Sequence, residues 1–104
     1  MERPQFLYVV KATRPEMLIE GLTPAEQATI GRHLAYLRDL VGKGVAILVG
    51  RTQTTGPETM GLVIFEAEDE KAARVIMDKD PAIVEGVMTG TLYPYKIALM
   101  RGAS

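Results

Sequence analysis

A ferredoxin-like α+β fold is predicted for this chain from the order of its segments, the character of its middle strands and its length. Four segments rich in β-branched and aromatic residues alternate with two segments of helical periodicity, in the order βαββαβ. This order predicts a four-stranded antiparallel sheet with both helices on one face, because right-handed crossovers place them on the same side. A chain of 104 residues can bury a core of its own, so we expect one domain spanning residues 1–104.

The first strand and the first helix have clear boundary signals. The strand is predicted over Gln5–Ala12, where β-branched and aromatic residues predominate, and residues 14–22 are predicted to form a loop. The first helix is expected to begin after Thr23, a suitable N-cap, with Pro24 at the first helical position. Glu26 lies three residues after Thr23 and completes the pattern of a capping box.

Apolar residues recur at helical spacing along this first helix and predict which side faces the core. They are Ile30, Leu34, Leu37 and Val41. The only histidine of the chain, His33, lies beside this stripe rather than opposite it. The helix is expected to end at the glycines of residues 42–44.

The two middle strands carry continuous apolar runs. They are predicted over residues 45–52 and 60–67, joined by a turn at Gly56 and Pro57. Their runs VAILV and LVIF lack the alternation of a half-exposed strand, so we expect burial on both faces. Two helices cover only one face of a sheet. We therefore predict a homodimer, in which a second copy of the chain covers the open sheet face.

The second helix and the last strand complete the predicted sheet. The helix is expected to begin near residues 68–71 and to stop at Asp80, because Pro81 disfavours helical geometry in the residue before it. Its apolar face is predicted to consist of Ala72, Val75 and Ile76. The last strand is predicted over residues 89–99, and Pro94 within it indicates an edge position or a bulge.

Composition and charge exclude several classes of function. The absence of cysteine excludes disulfides, zinc-thiolate sites and thiol nucleophiles. Twelve basic and thirteen acidic residues give a net charge of −1 without any block of like charge, so the basic surface typical of nucleic-acid or anionic-membrane binding is missing. The apolar runs are too short to span a bilayer, and the N-terminus lacks the features of a secretory signal. We expect a soluble, cytoplasmic protein.

Four stretches of the sequence together resemble the YCII-related (YciI-like) family: QFLYVVKATRPEM, TPAEQATIGRHLAYLRDLVGKGV, GRTQTT and MDKDPAIVEGV. The resemblance extends over residues 5–99, and its specific parts are the helical histidine, the glycine-containing strand after it and the later Asp-Pro. It implies a dimeric α+β barrel, in which two ferredoxin-like sheets pack face to face, with an active site around His33 and Asp80. Many relatives have Gly-Pro after the second strand, whereas this chain has Gly50-Arg51, which places a cation near the implied pocket.

His33 and Asp80 also suggest a chemistry through their residue types. Imidazole is a common general acid or base, although a histidine beside an apolar stripe is also typical of a partly buried residue with one hydrogen bond. A carboxylate at the end of the second helix meets the negative end of its dipole, so Asp80 is not expected to stabilise that helix. Asp80 either closes the turn before Pro81 or accepts a hydrogen bond that fixes the imidazole tautomer. Without an apparent serine or cysteine nucleophile, the pair indicates proton transfer.

Four further side chains are candidates for substrate binding. Arg51 and Arg14 can bind a carboxylate or enolate oxygen, and a solvated surface position is the alternative for both, favoured for Arg14. Tyr8 and Tyr93 can line a pocket or can simply pack, as tyrosines on strands usually do. One histidine and scattered carboxylates show no metal-ligand spacing, and the glycines of residues 50–61 form no phosphate loop. Neither a metal nor a cofactor is expected.

Two functions from different classes fit these observations. The leading hypothesis is a cofactor-free isomerase or lyase acting on a small organic molecule. In it, His33 moves a proton, Asp80 orients the imidazole and Arg51 lies near the developing negative charge. The alternative is a non-catalytic homodimer that binds a small ligand or a partner protein in the same pocket. A third possibility is that the histidine and the aspartate form only a structural hydrogen bond.

Overall fold

The computed structural model describes residues 3–102. Its strands are β1 (Gln5–Ala12), β2 (Ala46–Arg51), β3 (Gly61–Glu66) and β4 (Met88–Tyr95), and its helices are α1 (Met17–Glu20), α2 (Pro24–Gly42), α3 (Glu70–Asp78) and α4 (Pro81–Val84). The strands form one antiparallel sheet in the order β2-β3-β1-β4. The predicted ferredoxin-like α+β fold is confirmed, and two short helices accompany the two that were expected.

One face of the sheet is covered by α2 and α3. Because side chains alternate along a strand, β1 turns Phe6, Tyr8 and Val10 toward this face. These residues form one core with buried residues of β3, α2 and α3, namely Val63, Phe65, Leu37, Leu40, Ala73 and Met77. The core therefore lies between the sheet and the two longer helices.

The start of α2 follows its prediction, whereas its buried side differs from the predicted one. Thr23 is the N-cap, the capping box with Glu26 is formed, and Pro24 occupies the first helical position. The buried residues are Thr29, His33, Leu37 and Leu40, whereas the predicted stripe leaves Leu34 and Val41 49% exposed. Burial of the row that contains His33 is possible because its polar atoms find partners inside the protein.

The chain after β3 departs from its prediction in two places. The helix α3 ends at Asp78 and buries Ala73 and Met77, while Val75, assigned to the apolar face, is 46% exposed. Asp80 was predicted to end the second helix and to meet the negative end of its dipole. It is instead the N-cap of α4, and it accepts the backbone N–H of Ala82 at 3.0 Å. A carboxylate at this position interacts favourably with the helix dipole.

The last strand lies at an edge of the sheet, as Pro94 predicted. It pairs only with β1 and ends at Tyr95, four residues before the predicted end at Leu99. After the strand, the backbone N–H of Ile97 donates a hydrogen bond to Gln5 Oε1 at 2.7 Å. The end of β4 coincides with the beginning of β1, because Tyr95 pairs with Gln5, the first residue of that strand.

The other face of the sheet carries an apolar row, and no helix within residues 3–102 covers it. The pairing register places one residue of each strand in a single row across it: Leu48, Ile64, Leu7 and Tyr93. Leu48 and Tyr93, at the two edges of this row, are 51% and 46% exposed in the single chain. No helix within residues 3–102 combines the length and the apolar composition needed to cross a membrane.

Candidate active site

A cavity of about 460 Å³ opens between α2 and the covered face of the sheet. Most of its walls are apolar and come from α1, α2 and the strands; Met17, Ile30, Leu34, Val49 and Val63 are among them. The partial exposure of Leu34 and Val49 is explained by this cavity, toward which both side chains are placed. A concave, mostly apolar site with few polar groups is the usual form of a small-molecule site.

His33 and Asp80 meet beside this cavity. The imidazole Nδ1 lies 2.7 Å from Asp80 Oδ1, and both residues are buried, with Asp80 fully so. His33 belongs to the buried row of α2. Asp80 lies between α3 and α4, at the N-cap of α4. The two residues are 47 positions apart in the sequence, so only the fold brings them together.

Three donors converge on the Asp80 carboxylate. Oδ1 accepts from Ala82 N–H and faces His33 Nδ1, and Oδ2 accepts the hydroxyl hydrogen of Tyr8 at 2.8 Å. A buried carboxylate with this number of donors is well compensated for its loss of water. Asp80 thereby becomes a fixed acceptor, and a neutral imidazole facing it carries its proton on Nδ1.

The second imidazole nitrogen, Nε2, is open to the cavity. It makes no hydrogen bond with the described residues, and none of their buried side-chain nitrogen or oxygen atoms is left without a partner. Since His33 belongs to the cavity lining, Nε2 must be accessible there. In this tautomer Nε2 carries a lone pair, so it can accept a proton from a molecule in the cavity.

Tyr8 packs in the core, which is the alternative usual for a tyrosine on a strand. It is fully buried in the core and does not belong to the cavity lining, so it cannot contact a ligand there as a pocket residue would. Burial, together with the adjacent Asp80 carboxylate, raises the pKa of Tyr8 far above its usual range. Tyr8 therefore remains a hydroxyl donor to Asp80 at all relevant pH values.

Arg51 belongs to the cavity lining and is exposed, so it lies at the rim of the cavity. It is the last residue of β2 and pairs with Gly61 of β3, which in turn pairs with Val10 of β1. All three belong to the lining. A Cβ on Gly61 would lie 2.8 Å from Val10 Cγ2, so glycine keeps the floor of the cavity open beside Arg51.

The other two predicted binding residues lie elsewhere. Arg14 donates from Nε and Nη2 to Glu26, at 3.0 and 2.7 Å, and is not part of the cavity lining. The Arg14 hydrogen bonds hold the pKa of Glu26 at about 2, below its ordinary 4.5. Tyr93 lies on the open face of the sheet, because it pairs with Leu7 while its neighbour Leu92 pairs with Tyr8 of the covered face.

Sequence reasoning missed the hydroxyl chain at the loop between β2 and β3. Thr59 lines the cavity, and its Oγ1 lies 2.7 Å from Thr54 Oγ1, which lies 2.9 Å from Thr52 Oγ1. The alternation of threonines in this loop was the available signal. Among residues 3–102, no three histidine, cysteine, aspartate or glutamate side chains are grouped closely enough to hold a metal ion.

The sequence of the chain matches one protein family. The sequence profile of the YCII-related domain matches residues 5–94, which is most of the chain. No curated protein matches the sequence.

Two of the solved structures that share the fold are enzymes by name. One is 5-chloro-2-hydroxyhydroquinone dehydrochlorinase (TftG) from Burkholderia phenoliruptrix AC1100 in complex with 2,5-dihydroxybenzoquinone, with a TM-score of 0.61 and 21% identity, covering 88% of this chain and 93% of that chain. The other is SnoaB, a cofactor-independent oxygenase from Streptomyces nogalater, with a TM-score of 0.50 and 9% identity, covering 99% of this chain and 100% of that chain. At these identities the likeness shows the fold alone.

Proposed function

The chain belongs to the family of YCII-related domains, and on that premise we propose that it is a small enzyme that moves a proton on a small organic molecule without a cofactor. The observation that carries this proposal is the buried pair of His33 and Asp80, whose imidazole presents Nε2 to an apolar cavity. A base in a site of this kind is protected from bulk water, which favours proton transfer to and from a bound molecule.

The geometry supports a simple sequence of steps. His33 Nε2 accepts a proton from a C–H or O–H group of the substrate, and the Asp80 carboxylate stabilises the imidazolium that forms. The same nitrogen then returns the proton to a different atom, which completes an isomerisation. Alternatively, the substrate expels a leaving group as an anion and the imidazolium releases its proton to water, which completes an elimination. We assign the reaction to the isomerase or lyase type for this reason.

The solved neighbours supply supporting analogy. One is a dehydrochlorinase in complex with 2,5-dihydroxybenzoquinone, and another is an oxygenase that needs no cofactor. The compounds named for the dehydrochlorinase are small and cyclic, and this supports a small cyclic molecule as the substrate class here. A shared fold does not imply a shared function, so the proposal rests on the chemistry of the cavity residues.

The test uses a variant that keeps the buried hydrogen bond and removes the base. In His33→Asn, the amide nitrogen replaces Nδ1 as a donor to Asp80, but nothing replaces Nε2. With 5-chloro-2-hydroxyhydroquinone as the first probe, we expect chloride release by the wild type and a loss of about 100-fold or more in the variant. Binding of 2,5-dihydroxybenzoquinone should survive the substitution.

Two outcomes would contradict the enzyme proposal. If His33→Asn retains full turnover, the imidazole is not the base. If the wild type and His33→Ala bind the quinone equally well and no proton exchange or chloride release is found, the chain is a ligand-binding module instead. Substrate proton exchange in D2O, followed by NMR, extends the same comparison to isomerisations that release no chloride.

We propose in addition that the protein is a homodimer formed through the open sheet face. The supporting observation is the apolar row of Leu48, Ile64, Leu7 and Tyr93, which no helix covers. Ile64→Lys should convert the dimer to a monomer in analytical ultracentrifugation, because a lysine at the centre of the row would be buried without a partner. Val75→Lys, on the exposed side of α3, is the matched control. A wild-type monomer at micromolar concentration would refute the proposal.

A further inference from the structure

Within residues 3–102, Arg51 is the one formally charged side chain of the cavity lining. Among the described residues that form this lining, there is no aspartate or glutamate, and the neighbouring Asp80 is fully buried behind His33. The positive charge of Arg51 is therefore not balanced inside the cavity. An apolar cavity with one cation at its rim favours a ligand that brings the opposite charge.

Most hydrogen-bond donors of the Arg51 side chain have no acceptor among the described residues. Its guanidinium makes one long hydrogen bond, from Nε to the carbonyl of Thr52 at 3.4 Å, and forms no ion pair with any of residues 3–102. Arg14 and Arg32, by contrast, each donate twice to a carboxylate, Glu26 and Glu85 respectively. The planar donor pair of Arg51 is thus available for an oxyanion.

We propose that the cavity selects small, mostly apolar molecules that carry one resonance-stabilised oxyanion, and that Arg51 binds this oxyanion. The inference rests on the proposed function, because it names the substrate class of the same site. Arg51 is a specificity-determining residue in this arrangement, and His33 acts on the remainder of the bound molecule.

The rest of the cavity limits the ligand to a single charge. Its walls are apolar, so a second negative charge would lose its hydration without gaining a partner. Its volume of about 460 Å³ lies in the lower part of the range of roughly 300–1,000 Å³ that is usual for small-molecule sites. A compound of one or two rings therefore fits better than a larger one.

The residue next to Arg51 is held in place before any ligand binds. Thr52 N–H donates to the carbonyl of Met60 at 2.9 Å, and Thr52 Oγ1 accepts the N–H of Met60 at 3.0 Å. The hydroxyl chain from Thr52 to Thr59 closes the loop over the same edge. An anchor whose backbone is already ordered loses less entropy on binding.

The experiment compares three benzene derivatives that differ in charge: benzamide, benzoate and phthalate. Binding is followed through the resonances of the single histidine and by calorimetry. The wild type should bind benzoate about tenfold more tightly than benzamide, and phthalate more weakly than benzoate. Arg51→Met should weaken benzoate by about tenfold and leave benzamide within about twofold.

Two further variants complete the design. Arg51→Lys retains the charge, so it should retain the preference for benzoate over benzamide, although with weaker binding. Arg74→Met makes the same change on the exposed surface of α3 and should behave as the wild type. Equal binding of benzoate and benzamide to the wild type would overturn the inference, as would an unaffected Arg51→Met or the absence of benzoate binding at millimolar concentration.

These measurements involve no turnover, so they separate the two proposals. If benzoate binds through Arg51 while no proton transfer can be found for any substrate, the anion site stands and the enzyme proposal fails. If His33→Asn abolishes turnover but Arg51→Met has no effect on benzoate, the enzyme proposal stands and the anion site fails.

Discussion

Asp80 and Glu26 are both carboxylates in the first turn of a helix or at its N-cap, yet they hold very different parts of the molecule together. Glu26 accepts the backbone N–H of Thr23 and two hydrogen bonds from Arg14. Asp80 accepts the backbone N–H of Ala82 and the hydroxyl of Tyr8, and it faces His33. Each thus joins the start of its own helix to a side chain from another element.

The two sites differ in their reach along the chain and in their contact with water. Glu26 finds Arg14 12 positions away, and the side chains of Arg14 and Glu26 are 36% and 15% exposed. Asp80 finds its partners 47 and 72 positions away and is fully buried. Water can replace a lost partner of Glu26 but not one of Asp80. Only the Asp80 site can therefore hold an imidazole in one tautomer and one orientation.

The largest expected effect comes from removing the buried carboxylate. Asp80→Ala leaves the donors of Tyr8, His33 and Ala82 without an acceptor, so we expect the free energy of unfolding to fall by about 3–5 kcal/mol. This is a large part of the roughly 5–15 kcal/mol that stabilises a domain. Urea denaturation followed by circular dichroism measures the loss.

The matched variant for this comparison is Glu26→Ala. It removes a carboxylate that accepts the same number of hydrogen bonds, but its site is partly open to water, so the loss of stability should be much smaller. Equal losses for Asp80→Ala and Glu26→Ala would show that burial does not distinguish the two sites.

A smaller effect is expected from removing one donor of the buried site. Tyr8→Phe deletes the hydroxyl that binds Asp80 Oδ2, and a hydrogen bond to a buried charge contributes about 1.5–3 kcal/mol. The tautomer of His33 should persist, because Asp80 Oδ1 still faces Nδ1. The Nδ1 proton should move to lower field in the NMR spectrum, since the carboxylate has lost a competing donor.

The control is Tyr93→Phe, in which the hydroxyl belongs to a side chain that is 46% exposed on the open face. It should leave both the stability and the histidine resonances unchanged in a monomeric sample such as Ile64→Lys. An unchanged Nδ1 proton in Tyr8→Phe would show that Tyr8 has only a packing role and does not act on the imidazole through Asp80.

The same contrast explains how much of this molecule could be predicted from its sequence. The capping box of Glu26 is local, and the pattern from Thr23 to Glu26 was sufficient to predict it. The role of Asp80 as N-cap of α4 was missed, because the short helix after it has too few residues to show a period. The role of Tyr8 was missed for a different reason, since a strand sequence gives no information on which distant carboxylate meets a hydroxyl.

The buried row of α2 teaches a related lesson. Hydrophobic spacing favoured Leu34 and Val41 as core residues, but the helix buries Thr29 and His33 instead. Thr29 and His33 can be buried because they have Glu85 and Asp80 as hydrogen-bond partners. Leu34 lines the cavity and is not part of the core. The predicted stripe is therefore wrong at the candidate site, where the requirements of function compete with ordinary packing.

The smallest expected effect concerns the pH dependence of stability through Glu26. Its pKa in the folded protein is about 2, below the ordinary 4.5, because Arg14 favours the charged form. A lowered pKa in the folded state stabilises the fold above pH 4.5, and this contribution is lost as the pH falls from 4.5 toward 2. Arg14→Met should therefore be less stable than the wild type at neutral pH. The loss of stability should be smaller than that of Tyr8→Phe, and it should shrink as the pH falls from 4.5 toward 2.

Urea denaturation at several pH values tests this prediction, with Arg74→Met as the control. A difference that stays constant down to pH 2 would mean that Arg14 stabilises the protein through packing and not through the charge of Glu26.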